Sequence, residues 1–204
     1  MRLLPLIVAL LASFSLARAD TPSVEFDGQR YTLNFEEQGT QPDGQSGDAI
    51  AEFTLAGETV ENWSKLFAYH AYPSMGDDPV AAVQVVGNAV KENNKDANFA
   101  IIGNEEKGVA IIDFLTWEPE SDIMEFNVFK YSRAGLQPGL IALQFAQRFK
   151  LGTYSVEAFR RLRERAVENM AATDVTQARA YFAAKAKETG IAGPAASARA
   201  GIDR

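Results

Sequence analysis

Two residues are placed by type for acid–base chemistry: His70, the only histidine, and Asp113, the one acid set in an apolar run. A histidine titrates near neutrality, and a carboxylate forced into apolar surroundings shifts upward, so either can carry a proton. His70 stands between Tyr69 and Ala71, and no serine lies in a G-x-S-x-G elbow that would give it a nucleophile to activate. It reads as a histidine on a half-buried strand face. Asp113, in Val-Ala-Ile-Ile-Asp-Phe-Leu, reads equally as a structural carboxylate hydrogen-bonded across strands. A paired-acid hydrolase would need a second carboxylate brought to it by folding.

Metal chemistry has few ligands to draw on. There is no cysteine and one histidine, whereas side-chain zinc or copper sites take several such ligands. The acidic groupings Asp43/Asp48, Asp77/Asp78 and Glu118/Glu120/Asp122 lack the spacing of a calcium loop and fall in predicted turns. No metal and no cofactor is expected. The lack of cysteine also excludes disulfides and thiol catalysis.

Aromatic residues remain. Trp63, Tyr69, Tyr72, Trp117, Phe126, Phe129 and Tyr131 fall on neighbouring predicted strands, as core and cross-strand pairs do. If some of them face a cleft, Trp63, Tyr72 and Trp117 are the ligand-binding candidates, for a small apolar or amphipathic molecule. Arg148, Lys150, Arg160, Arg161, Arg163 and Arg165 form a basic stretch. Glu157/Arg161 and Arg160/Glu164 have i, i+4 spacing, which predicts a solvated, ion-paired helix face.

The elements that must position these residues are written in periodicity. Residues 24–26 and 31–35 alternate about Asp27-Gly28 as a hairpin does. Residues 38–48 are almost all turn formers, residues 50–55 read as a strand, and 56–63 as a turn entering a short helical stretch. Residues 66–72 form the next strand. Residues 79–92 make a helix with Asp78 as N-cap, Pro79 in the first turn, and Val80, Val83, Gly87 and Val90 on one face. Four strands follow at 99–103, 109–117, 123–132 and 140–149, the last with one face to the core and one to water. Residues 155–170 form a helix with Phe159, Leu162, Ala166 and Met170 inward. A third helix runs from Asp174 to Gly190, with Asp174 and Gln177 at capping-box spacing. The order predicts an α+β fold: an antiparallel sheet with helices packed on it, one domain at 20–172 plus a C-terminal helix at 173–190 and an aperiodic, disordered tail at 191–204.

The N-terminus predicts export. Arg2, an uncharged apolar run to Leu16 and Ala17-Arg18-Ala19 compose a signal peptide at 1–19, cleaved between Ala19 and Asp20. The run is too short to span a bilayer, and no cysteine follows it for a lipid anchor, so neither a transmembrane nor a lipid anchor is expected. The destination is the periplasm, or otherwise the medium. Lys and Arg number 20 against 27 Asp and Glu, a net charge of −7, and cleavage removes two further cations. That balance repels phosphate backbones, so no nucleic-acid partner is expected.

Residues 52–63, Glu-Phe-Thr-Leu-Ala-Gly-Glu-Thr-Val-Glu-Asn-Trp, carry G-E-x-x-x-x-W between two strands. With the element order, this stretch resembles uncharacterised secreted bacterial proteins and, more distantly, the PsbP-like fold, over residues 23–170. The resemblance implies a mostly non-catalytic accessory protein. The leading expectation is a soluble exported protein that binds a partner protein or small ligand in the cell envelope without catalysis. A periplasmic hydrolase using carboxylates and an immunity-type neutraliser of a secreted toxin are the alternatives.

Overall fold

The computed structural model describes residues 21–41, 45–117, 121–135 and 139–189. The expected signal peptide with Ala19 and Asp20, the tail at 191–204, and Asp43, Glu118 and Glu120 of the acidic groupings lie outside the described residues. Eight strands form one antiparallel sheet: β1 (Ser23–Phe26), β2 (Gln29–Thr40), β3 (Ser46–Thr54), β4 (Lys65–Tyr72), β5 (Phe99–Asn104), β6 (Val109–Trp117), β7 (Ile123–Arg133) and β8 (Leu140–Lys150). The spatial order is β1-β2-β3-β4-β8-β7-β6-β5. Two four-strand meanders therefore meet at the β4–β8 pair, where Phe67 stands opposite Phe145 and His70 opposite Ala142. Helix α1 (Pro79–Asn93) connects the meanders; α2 (Val156–Ala172) and α3 (Thr176–Thr189) follow the last strand. The fold is α+β.

Successive strand residues point to opposite faces, and each face has its own core. On one, Ala82 and Val83 of α1 meet Ala110, Ile112, Phe114, Tyr131, Leu140 and Ala142. On the other, Leu162, Ala166 and Met170 of α2, Val175 just before α3 and Ala178 within it join Phe53, Phe67, Ile111, Val128, Leu143 and Phe145. The adjacent pair Ile111 and Ile112 thus serves two cores. Strand β8 departs from expectation here: its Ala142 and Ala146 side is buried, not wetted. It lies at the middle of the sheet, where α1 closes over Ala142 and Trp63 over Ala146.

The turns explain most of the rest. Asp27 and Gly28 both have positive φ (49° and 69°), the backbone of a tight hairpin turn. Asp78 Oδ1 accepts from the N–H groups of Val80 and Ala81 at 2.9 and 3.1 Å, so α1 begins where its cap dictates. Residues 38–48 are not all loop: β2 runs to Thr40 and β3 starts at Ser46. A Cβ on Gly47 would come within 2.9 Å of the Gly39 carbonyl carbon, so these glycines bring two backbones together. The short helix expected before Trp63 does not form. Gly57 takes φ 83°, and Thr59 and Asn62 exchange backbone hydrogen bonds in a closed turn. A segment this short does not nucleate a helix unaided. Helix α3 starts at Thr176, whose N–H donates to Asp174 Oδ1. Gln177 does not complete a capping box; its Oε1 accepts from Tyr69 Oη at 3.3 Å.

Candidate functional site

Helix α2 is bound to the sheet through its arginines. Arg163 donates from Nε and Nη2 to the two oxygens of Asp113, at 2.6 and 2.8 Å. Arg165 and Asn169 donate to Asp27 in the first hairpin. No ion pair forms between Glu157 and Arg161 or between Arg160 and Glu164 among the described residues; the ion pairs of the helix reach across to β6 and to the turn between β1 and β2. Asp113 is 4% exposed and both its oxygens are engaged. Its chemistry in this fold is that of a docking point for α2.

His70 occupies the opposite face and is 7% exposed. It lies parallel to Tyr72, with centroids 5.7 Å apart, and against Phe129. Its Nε2 is 2.9 Å from Oε1 of Gln144. A carbonyl oxygen only accepts, so Nε2 carries the proton. Burial lowers the pKa to about 4, and the ring is neutral at pH 7. Tyr72 is itself pushed up to about 12 by burial and stacks on Tyr131.

From His70 a row of side chains crosses the sheet diagonally. Gln144 Nε2 donates to Asn127 Oδ1 at 2.9 Å, and Asn127 Nδ2 donates to Glu125 Oε1 at 3.0 Å. Arg148 Nε donates to Glu125 Oε2 at 3.1 Å. The register creates this line: Glu125 is directly opposite Arg148, while Asn127 faces Ala146 and Gln144 faces Phe129, leaving diagonal neighbours to bond. The guanidinium of Arg148 lies 3.8 Å from the centroid of the Trp63 ring. Trp63 rests in turn on Leu66, Ala68 and Ala146, whose small size makes its seat.

This end of the row opens into a cleft of about 720 Å³ lined by Trp63, Thr116, Trp117, Ile123, Glu125, Arg148 and Lys150, among others. The strand ends and the loop before β4 converge there. Trp117, 41% exposed, also borders an apolar groove of about 330 Å³ formed with Val85, Val86 and Val90 of α1. The fold thus brings Trp63 and Trp117 together, sets Tyr72 beyond the far end of the polar row, and leaves His70 and Asp113 on opposite faces. Among the described residues, no group of three or more His, Asp or Glu is placed to hold a metal ion.

Sequence reasoning missed Glu125, Asn127 and Gln144. Their signal was polar residues, two in β7 and one in β8, interleaved with apolar ones, which must find partners once buried. Which partner depended on the register.

No curated protein matches this chain. A protein-family model matches residues 19–175, more than half of the chain, and the chain belongs to that family.

Proposed function

We propose that this is an exported envelope protein that works by binding, without catalysis, and that the cleft between Trp63, Trp117 and Arg148 receives the ligand. The observation that carries it is the cleft itself: an exposed indole, a second indole stacked under a held guanidinium, and mixed polar and apolar walls. Binding sites combine apolar surface with a few fixed polar groups in this way. The two residues best suited by type to proton transfer are committed elsewhere, Asp113 to Arg163 and His70 to a buried hydrogen bond. Support for export comes from the three-part N-terminal pattern of the sequence; among the described residues no helix is long and apolar enough to cross a membrane. The likeness to the PsbP-like fold, whose members are mostly accessory proteins, agrees with a binding role.

Trp63 and Trp117 are the only tryptophans in the sequence, and both line the cleft. Intrinsic tryptophan fluorescence therefore reports on the cleft directly. A library of small amphipathic compounds, titrated into protein purified from the envelope of an expressing host, should yield ligands that shift the emission. Trp117→Ala should abolish their binding, measured calorimetrically. A ligand held equally by that variant would move the site elsewhere. A turnover lost in His70→Gln or Asp113→Asn, with folding intact, would overturn the non-catalytic reading.

A further inference from the structure

We infer that the ligand of this cleft is an organic monocarboxylate with an apolar or aromatic body, its carboxylate taken by Arg148; the inference rests on the cleft being a binding site. The arrangement around Arg148 is built for holding rather than for neutralising. Glu125 uses one oxygen on Arg148 Nε and the other on Asn127, so neither oxygen is left as the main acceptor for a ligand. Asn127 is fixed by Gln144, and Gln144 by His70, all three at most 3.0 Å from their partners. Glu125 is thereby held as an oriented anion, and its effect is to fix the guanidinium plane over Trp63.

What the held guanidinium offers is its outer edge. Its Nε is used, but among the described residues neither Nη group donates to a protein acceptor, and the side chain is 35% exposed in the cleft wall. Two parallel N–H donors on a rigid plane match a planar carboxylate. Beside them Lys150 adds a second cation. It is 67% exposed, and its contact with Asp122 at 3.6 Å is loose and screened by water. Trp117 supplies an apolar plate within the same cleft. A net charge of −7 repels anions at large, so a fixed guanidinium with a mobile second cation beside it selects for an anion that also gains from burying apolar surface. A single negative charge on a hydrophobic body meets both conditions better than a multiply charged ion.

The test uses 3-phenylpropionate, its uncharged isostere 3-phenylpropanamide, and inorganic phosphate, each titrated against tryptophan emission at constant ionic strength. A charge-assisted pair at a partly exposed site predicts that the carboxylate binds about tenfold more tightly than the amide. Arg148→Met should erase that preference, and Arg148→Lys, which keeps the charge but not the planar donor pair, should erase most of it. Lys150→Gln, at an exposed position that does not endanger folding, should reduce it and weaken the salt dependence of what remains. Equal binding of acid and amide, lost in Trp117→Ala, overturns the carboxylate assignment and leaves the cleft standing. Phosphate binding that depends on Arg148, with no gain from the phenyl body, overturns it in favour of an inorganic anion. Binding of none of the three overturns the carboxylate assignment, and the compound library with Trp117→Ala then decides the cleft reading separately.

Discussion

Arg163→Met should cost the fold more than Asp113→Asn, although the two substitutions break the same ion pair. The asymmetry comes from burial: the Asp113 side chain is 6% exposed and that of Arg163 is 38% exposed. Without the arginine, a carboxylate stays buried and unpaired on a strand; without the carboxylate, the guanidinium turns to water. Removing one partner of a buried pair costs about 3–5 kcal/mol, and the lower end applies to a pair whose cation is half wet. Asp113→Asn keeps an acceptor for Arg163 and should cost about 1.5 kcal/mol. With a urea slope of about 2 kcal/mol per molar, the midpoints should fall by about 1.5 M and 0.75 M. The double variant Asp113→Leu with Arg163→Met should return to within about 1 kcal/mol of the parent, since no buried charge remains. Urea unfolding followed by far-ultraviolet circular dichroism measures all three. If Asp113→Asn proved the more costly single change, or if the double variant summed the two losses, burial of the Asp113 charge would not be what sets the strength of α2 docking.

Three further outcomes follow from the geometry. His70 binds its proton with a pKa near 4 when folded, against 6.5 when exposed, so the unfolded chain takes up more protons between those values and stability should fall as the pH drops through them, by about 1.4 kcal/mol per unit. Glu52, whose pKa burial raises, acts with the opposite sign, so the contribution of His70 is read as the difference in urea midpoint between parent and His70→Gln at pH 7 and pH 4.5. Gly87→Ala should destabilise by about 1–2 kcal/mol despite the better helix propensity of alanine, because its Cβ would lie 2.7 Å from the Phe99 ring; thermal unfolding gives the sign. Lys130 donates to the carbonyls of Ala171 and Thr173 at 2.9 and 2.6 Å, so Lys130→Met should speed amide exchange in the last turn of α2 while leaving α1 unchanged.

Much of this fold was legible because local chemistry and global arrangement agree. Asp27-Gly28 is a hairpin turn by composition and by backbone, and Asp78-Pro79 starts a helix where the valine stripe begins. The runs from residue 99 to residue 149 are joined by turns short enough to make antiparallel neighbours, and they form a meander. Legibility failed where a residue served a distant partner. Gly39 and Gly47 read as turn residues, but they pair two strands closely. Gln177 read as half of a capping box, yet its side chain meets Tyr69, which is 108 residues away. The β8 face carrying Ala142, Gln144 and Ala146 read as wetted because alanine and glutamine are weak burial signals; only the central position of β8 decides otherwise. The candidate site depends still more on register. Trp63 and Trp117 are visible in sequence as aromatics, but what joins them is the pairing of Glu125 with Arg148 at the strand ends.

The row from His70 to Glu125 has a further property: all its donors point the same way. If Gln144 alone turned over, its amino group would meet the protonated nitrogen of His70, and its oxygen would meet that of Asn127. Reversing the row would require a change of imidazole tautomer, two amide rotations and a proton on Glu125 together. The four side chains therefore act as one element with a single allowed polarity, anchored at one end in the interior and at the other on the rim of the cleft. A change of charge at Glu125 should therefore be felt at the imidazole through the polarisation of three successive hydrogen bonds. The ring nitrogens of His70, remote from the cleft, are accordingly the nuclei whose resonances should shift when the proposed ligand is titrated in.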